Sequence, residues 1–315
     1  MPQPLIECVP NFSEGRRSDV IDAITNAIAR VADVLVLGVE SDADHNRSVV
    51  TLAGPPQALV AGVFEGIRAA QQQINLDEHR GAHPRLGATD VVPFIPIRDT
   101  TMAECVALAR QLGQRVGEEL GIPVYLYEEA ATRPERRNLA DVRRGEYEGL
   151  KQKLGSDPAR APDFGPTTLT PAGATIIGAR APLVAYNVYL STGDVEIAKK
   201  IAKAIRHSNG GLRYVKALGL LVDGRAQVSI NMTDFRATPL HRAFDLIRAE
   251  AARYGVLPTE SEIVGLVPED ALLDVAEHYL QLNRFKRAQV LERRLAEVEA
   301  AAQPASPDNR QANDA

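Results

Sequence analysis

The sequence has 315 residues, more than one ordinary core accommodates, so we expect two domains or one large domain. Hydrophobic residues make up 45% and charged residues 24%, which is typical of a soluble globular protein. A formal net charge of -5, the absence of tryptophan and an aromatic content of only 5% argue against a surface that binds nucleic acid or membranes non-specifically.

The N-terminal residues lack the basic start and apolar run of a signal peptide, and no apolar stretch is long enough to span a membrane. Cys8 and Cys105 stand at no metal or redox spacing, so we interpret both as buried free thiols in a reducing compartment. These features predict a cytoplasmic protein that binds neither nucleic acid nor membrane.

The hydrophobic pattern of the first half predicts elements in the order βαββαβαβ. Strands are expected at residues 5–9, 34–39, 47–53, 91–97 and 124–127, a turn at 11–15, and helices at 18–31, 57–73 and 101–120. Ser18 is expected to cap the first helix, and Thr101 with Glu104 has the spacing of a capping box. Because Pro93 and Pro96 cannot donate to a ladder, the strand at 91–97 is expected to be short or at an edge.

Residues 133–163 are highly charged and are expected to be a surface excursion, followed by a loop stiffened by glycine and proline. The second half then predicts the order βαββαβα. Strands are expected at residues 183–190, 214–222, 227–232 and 262–267, and helices at 194–206, 239–254, 269–282 and 285–301.

The repeated order predicts an α+β (mixed α/β) fold. Two similar ferredoxin-like βαββαβ subdomains, each an antiparallel sheet with helices on one face, explain it. The predicted domains are residues 1–180 and 181–300, and residues 301–315 have the composition of a disordered tail.

Two loops of the first half hold more polar side chains than a turn requires, and three of the six histidines lie in them. The loops comprise residues 42–48 and 78–90. A proline after His83 holds this histidine in an extended conformation, and Gly81 and Gly87 allow close backbone approach. Arg80 and Arg85 flank His83, and a guanidinium binds a carboxylate through paired hydrogen bonds. The pattern favours His83 as an acid/base that acts on an anionic ligand.

Less specific interpretations compete with this one. A loop histidine is more often exposed and idle, and we favour that interpretation for His45 and His79. Asp44 is explained equally well by turn formation. A metal site would use His79 and His83 on one face of a helix, but a glycine and a proline in this loop disfavour a helix. We therefore expect no metal.

Six longer strings occur in order along the chain. They are residues 7–15 (ECVPNFSEG), 46–51 (NRSVVT), 83–96 (HPRLGATDVVPFIP), 121–127 (GIPVYLY), 161–166 (APDFGP) and 264–268 (VGLVP). With these strings the chain resembles the glutamate formimidoyltransferase family, which includes the N-terminal part of formimidoyltransferase-cyclodeaminase. The resemblance implies transfer of the formimino group from N-formimino-glutamate to N5 of tetrahydrofolate, giving 5-formiminotetrahydrofolate and glutamate in histidine degradation and one-carbon metabolism.

The resemblance also implies a homodimer, two similar α/β subdomains with a folate tunnel between them, and tetrahydrofolate as a co-substrate. It implies that His83 is the catalytic histidine. The folate-contacting segment of the family corresponds to Gly165, Pro166, Thr167, Thr168, Leu169, Thr170, Pro171, Ala172 and Gly173. This segment is one residue shorter here and lacks larger side chains, so contacts by its backbone are expected. The chain stops where the cyclodeaminase would begin, so that activity is expected in another protein or not at all.

This chemistry requires one proton to leave N5 and one to reach the departing glutamate nitrogen. A single histidine with an ordinary pKa of about 6.5 can do both. The candidates for substrate binding and for orientation of His83 or the iminium nitrogen are Arg47, Asn46, Arg80, Arg85, Asp44 and Glu40. Formyl transfer between glutamate and tetrahydrofolate, a metallohydrolase and a non-catalytic folate-binding protein remain alternatives.

Overall fold

The computed structural model describes residues 3–302, and the rest of the predicted tail, residues 303–315, lies outside them. The described chain forms two compact units. One consists of residues 3–187 and 262–266, and the other of residues 188–261 and 267–302.

The first unit contains a seven-stranded mixed sheet. Its strands are β1 (Leu5–Cys8), β2 (Asn11–Phe12), β3 (Leu35–Asp42), β4 (Arg47–Gly54), β5 (Thr89–Arg98), β6 (Val124–Glu128) and β7 (Thr175–Ala179). Its helices are α1 (Ser18–Ala29), α2 (Pro56–Gln73), α3 (Met102–Glu119), α4 (Leu139–Val142) and α5 (Glu146–Lys153).

The strand order of this sheet begins as a ferredoxin-like arrangement. β3 pairs with β4, β4 with β1 and β2, and these with β5, all antiparallel. This is the predicted split-βαβ order. β7 and β6 then extend the sheet beyond β5 in parallel. β7 is a strand that the hydrophobic pattern does not reveal.

β1 and β2 act as one strand interrupted at Pro10, so the turn expected at residues 11–15 is wrong at its start. Asn11 and Phe12 pair with β4 on one side and β5 on the other. Phe12 is only 1% exposed. Burial of this aromatic ring stabilises the continued strand more than local turn propensity opposes it.

The expectation of a short or edge strand at residues 91–97 is also wrong, because β5 has ten residues and partners on both sides. Pro93 lies opposite the interruption between β1 and β2, and its carbonyl accepts a hydrogen bond from Val9 N–H. Proline has no N–H, but at Pro93 that group would point at the break between β1 and β2. No hydrogen bond of the sheet is therefore lost there. Pro96 lies beyond the last β5–β7 pair, Phe94 with Ala179.

The first helix begins differently from the expectation. Arg17, not Ser18, is the N-cap residue, and its side chain makes no cap hydrogen bond. The buried carboxylate of Glu14 instead accepts hydrogen bonds of 2.9 Å from the backbone N–H groups of Arg16 and Arg17. A carboxylate at this end of a helix also complements the helix dipole. The predicted capping box at Thr101 is confirmed.

Both faces of the sheet are covered in part. α1, α2 and α3 pack on one face through the main core, and both cysteines are buried free thiols there, as predicted. α4 and α5 pack on the other face, where Val142 and Leu150 are buried with Tyr125 and Ile176. The segment predicted as a surface excursion thus contributes a second, smaller core.

The second sheet has four strands in the order β11-β8-β10-β9, the order that the ferredoxin-like prediction requires. The strands are β8 (Val184–Leu190), β9 (Val215–Val222), β10 (Arg225–Met232) and β11 (Pro258–Val264). The helices are α6 (Val195–Ile205), α7 (Leu240–Ala252), α8 (Glu269–Tyr279) and α9 (Leu291–Ala302). The α+β class with two sheets is therefore confirmed.

A buried ion pair fixes the chain just before the predicted folate segment. Asp163 accepts hydrogen bonds from Leu126 N–H at 2.8 Å and from the Arg136 guanidinium at 2.5 Å. The Asp163 and Arg136 side chains are 8% and 5% exposed. We expect Asp163→Ala to lower the free energy of unfolding by about 3–5 kcal/mol, because it leaves a buried guanidinium unpaired. Denaturant unfolding measures this change.

Glu119→Ala is the control, because it breaks an exposed ion pair with Arg115. Such pairs contribute about 0.2–1 kcal/mol. Equal losses in the two variants would show that the Asp163 pair does not stabilise the fold as proposed here.

Candidate active site

The loop that carries His83 is fixed to two neighbouring segments. Ser13 donates its hydroxyl to Gly87 O at 2.7 Å, and Ala88 N–H donates to Ala172 O at 2.8 Å. A Cβ on Gly87 would lie only 2.2 Å from Ala174 O. The expectation that Gly87 allows close backbone approach is thus confirmed, and the approach brings the predicted folate segment next to the His83 loop.

The other polar loop approaches from the opposite side. A Cβ on Gly81 would lie 2.2 Å from His45 O. Asn46 has a positive φ of 49° and is buried. Its side-chain oxygen accepts from Gly15 N–H at 3.0 Å, and its amide nitrogen donates to Arg80 O at 3.0 Å. The side chain of Asn46 therefore connects its own loop to the segment after β2 and to the His83 loop.

Arg47 is half-buried at the start of β4. Its Nε donates to Asn11 Oδ1 at 2.8 Å, and a terminal nitrogen contacts the same oxygen. The amide nitrogen of Asn11 donates to Val9 O at 2.9 Å, which fixes the orientation of the acceptor. Burial, and then the nearby charge of Arg143, lower the pKa of Arg47 to about 10. Arg47 is therefore still a cation at neutral pH.

Arg143 is a residue that the sequence interpretation does not include. It follows α4, and its side chain is only 13% exposed. One terminal nitrogen contacts Asp90, whose other oxygen accepts from Leu86 N–H at 2.8 Å. Asp90 is 2% exposed, and a carboxylate buried in this way needs a cation. That requirement is the signal in the sequence, but it does not say which arginine supplies the charge.

His83 lies half-buried in this cationic setting. Its ring centroid is 6.5 Å from that of His45, whose Nδ1 is 2.7 Å from Asp42. Burial, and then the charges of Arg47 and Arg143, lower the pKa of His83 to about 2. The structure thus differs from the expectation of an ordinary pKa: the imidazole is neutral at neutral pH and is a proton acceptor.

His79 and Arg85 are occupied by internal contacts. His79 is 7% exposed, so the expectation of an exposed, idle side chain is wrong. Its Nε2 lies 2.9 Å from Asn46 O, and its Nδ1 accepts from Arg85 Nε at 3.2 Å. Arg85 also donates to the carboxylates of Glu146 and Glu148 at 2.7–3.0 Å. These contacts tie the His83 loop to α5.

The remaining candidates lie at the surface. Arg80 lines an open cleft of about 360 Å³ with Asp77 and Lys151, and donates to His79 O at 2.7 Å. Asp44 and Glu40 are exposed. Within residues 3–302, no group of three or more His, Cys, Asp or Glu side chains could hold a metal ion. None of the described helices is both long and apolar enough to cross a membrane.

Comparisons with known proteins match nearly the whole described chain. Residues 5–180 match the model of the formiminotransferase domain, N-terminal subdomain, and residues 185–298 match the model of the formiminotransferase domain. These two matches include both sheets and the His83 loop. The chain therefore belongs to the formiminotransferase family.

Individual relatives agree with this family. A glutamate formimidoyltransferase of Thermoplasma acidophilum is 56% identical over 92% of this chain and 97% of its own length. The enzyme of the same name from Streptococcus pyogenes serotype M1 is 49% identical over 92% of this chain and 98% of its own. A formimidoyltransferase-cyclodeaminase of Sus scrofa is 46% identical over 88% of this chain but only 52% of its own length.

The pKa of His83 has a consequence for stability. Below pH 6.5 an unfolded chain protonates this histidine, but the folded chain does not do so until about pH 2. The unfolded state therefore binds one more proton than the folded state in this window. As the pH is lowered, the free energy of unfolding decreases by at most about 1.4 kcal/mol per pH unit. Between pH 7 and pH 4.5 the free energy of unfolding should decrease in both proteins. We expect the decrease to be about 1–3 kcal/mol smaller in His83→Asn than in the wild type. Denaturant unfolding at the two pH values checks this.

His207→Asn is the control, because His207 is an exposed histidine. It is expected to lose as much stability as the wild type. A His83→Asn variant that loses as much as this control would mean that His83 is not held neutral.

Proposed function

We propose that this protein is a cytoplasmic, homodimeric glutamate formimidoyltransferase that moves the formimino group of N-formimino-L-glutamate to N5 of tetrahydrofolate. Near full-length identities of 49–56% with proteins of that name support this proposal. The observation that carries the mechanism is the half-buried imidazole of His83, whose pKa is lowered to about 2 by burial and then by the charges of Arg47 and Arg143.

In the proposed reaction the formimino carbon is attacked by N5 of tetrahydrofolate while the formimino group is protonated. His83 accepts the proton that N5 loses as the new C–N bond forms. The resulting imidazolium then donates that proton to the glutamate nitrogen as the old C–N bond breaks. Positioned proton transfer of this kind typically accelerates a reaction about 10²–10⁴-fold, and the rest must come from holding two substrates together.

The contacts of the arginines suggest different roles for them. Arg47 is oriented by one neutral amide and keeps hydrogen-bonding capacity for a substrate carboxylate. Arg85 already binds two carboxylates of this chain, so we propose that it supports the His83 loop. The segment of residues 165–173 adjoins the His83 loop at Ala172, which suits contacts from its backbone to folate.

His83→Ala is expected to retain folding and tetrahydrofolate binding, since the arginines and the neighbouring loops remain. Turnover of formimino-glutamate should fall at least about 10²-fold, the lower end of what a positioned base supplies. Steady-state assays at saturating concentrations of both substrates measure the loss.

His207→Ala serves as the control for this variant and is expected to retain wild-type turnover. His79→Ala is unsuitable, because His79 is buried and hydrogen-bonded. Near wild-type turnover in His83→Ala would remove His83 from the mechanism and favour a folate-binding protein that does not use this base.

Arg47→Ala tests the binding of the substrate carboxylate. A hydrogen bond to a charged group contributes about 1.5–3 kcal/mol, so we expect KM for formimino-glutamate to rise about ten-fold or more, with a smaller change in kcat. Arg80→Ala is the matched comparison, because Arg80 is exposed and lines a separate cleft. A larger KM effect at Arg80 would reverse the two assignments.

A further inference from the structure

Arg143 has a hydrogen-bond donor without an acceptor. Its Nε is buried and has no hydrogen-bond partner among the described residues. A buried donor without a partner costs about 1–3 kcal/mol, so native chains seldom retain one without a reason. The contact of Arg143 with Asp90 uses a terminal nitrogen only, so Nε is left without an acceptor and the side chain keeps donors beyond this contact.

The position of Arg143 relates it to the proposed catalytic loop. Asp90 binds Arg143 with one oxygen and Leu86 N–H with the other, and Leu86 is three residues after His83. Arg47 is bonded to Asn11, which pairs with Val91, the residue after Asp90, so Arg47 and Arg143 approach the same end of β5. The charge of Arg143 acts on Arg47 accordingly. Asp90 contacts Arg143 directly, whereas Arg47 is bonded to a neutral amide, and the exposed carboxylates Asp42 and Glu40 act on Arg47 less strongly than Asp90 does. An anion from outside is the group that would complete this pair of arginines.

We propose that Arg143 is a second carboxylate-binding residue for formimino-glutamate, and that a substrate carboxylate held between Arg143 and Arg47 activates His83 as the base. This proposal rests on the function proposed above. It adds a residue from the charged segment after β6 to the substrate site.

The physical basis of the activation is electrostatic. In the free enzyme two guanidinium charges oppose formation of an imidazolium at His83. A carboxylate between them cancels part of that repulsion and attracts the imidazolium directly. His83 therefore becomes able to take a proton from N5 when the formimino donor is in place.

Binding measurements test the first half of the proposal. Formimino-glutamate is titrated calorimetrically into the enzyme without tetrahydrofolate, so that no turnover occurs. Arg143→Ala is expected to weaken binding at least about ten-fold. Arg143→Lys keeps a cation for Asp90 and with it the fold, but lacks the guanidinium fork, so it should weaken binding several-fold. Arg144→Ala is the control, because Arg144 is adjacent in sequence and its side chain is 76% exposed.

Tetrahydrofolate affinity is measured in the same variants and should stay within about two-fold of the wild type. Unchanged formimino-glutamate binding in both Arg143 variants would overturn the proposal. An equal loss of affinity for both substrates in Arg143→Lys would overturn it too, because Arg143 would then act only through the fold.

A titration of His83 tests the second half. The imidazole nitrogens of ¹⁵N-histidine-labelled enzyme are followed by NMR against pH, with His83→Asn used to assign the signals. The titration runs from pH 8 to about pH 5, where the carboxylates of glutamate stay ionised. Without ligand His83 should stay neutral over this range, whereas saturating glutamate, the product with the same carboxylates, should raise its pKa enough for partial protonation towards the acid end. This effect of glutamate should be clearly smaller in Arg143→Lys. In the control variant Arg144→Ala it should be as large as in the wild type.

An unchanged His83 titration with glutamate bound would overturn the activation. These outcomes are distinct from failure of the proposed function. If the wild type binds glutamate at Arg143 but does not turn over formimino-glutamate with tetrahydrofolate, the reaction is wrong and the carboxylate site remains. If it turns over but Arg143 variants bind normally, the function remains and the site is wrong.

Discussion

The buried carboxylate of Asp90 holds the proposed active site together. It lies at the start of β5 and is 2% exposed, with one oxygen on Leu86 N–H and the other on Arg143. An ionised group this deeply buried is stable only with such partners. Because one partner belongs to the His83 loop and the other follows α4, the carboxylate fixes the distance between the histidine and a cation. The chemistry of the site therefore depends on a residue that need not touch substrate.

The electrostatics of the site follow from that arrangement. Burial and two guanidinium groups oppose a charged imidazole, so His83 rests as the neutral base that the reaction first needs. The same conditions make it a weak base, which alone would slow proton removal from N5. Cations suited to attract an anionic substrate thus also oppose protonation of the proposed base, His83. In the mechanism proposed above, a substrate carboxylate relieves that restraint at the place where the reaction occurs.

Much of this could be predicted from the sequence where local patterns and the fold agree. The split-βαβ order, the capping box at Thr101 and the close approach at Gly87 follow from periodicity, spacing and the size of glycine. β7 could not be found in this way, because a five-residue buried strand has no alternation and its neighbours lie far away in the sequence. Pro93 led to the wrong expectation of a short or edge strand for a similar reason. A proline fits inside β5 only because the neighbouring strand is interrupted opposite it, and the local sequence does not show this.

The charged segment after β6 shows why the rest of the site could not be predicted from the sequence. By composition it is a solvated excursion, and most such segments are. Here Val142 and Leu150 bury one side of it against the sheet. That packing directs Glu148 towards Arg85 and brings Arg143 to Asp90. A charge pattern gives the number of arginines, but only tertiary packing decides which one meets a buried carboxylate. The hydrophobic contacts of this segment, more than its charges, therefore determine the electrostatics around His83.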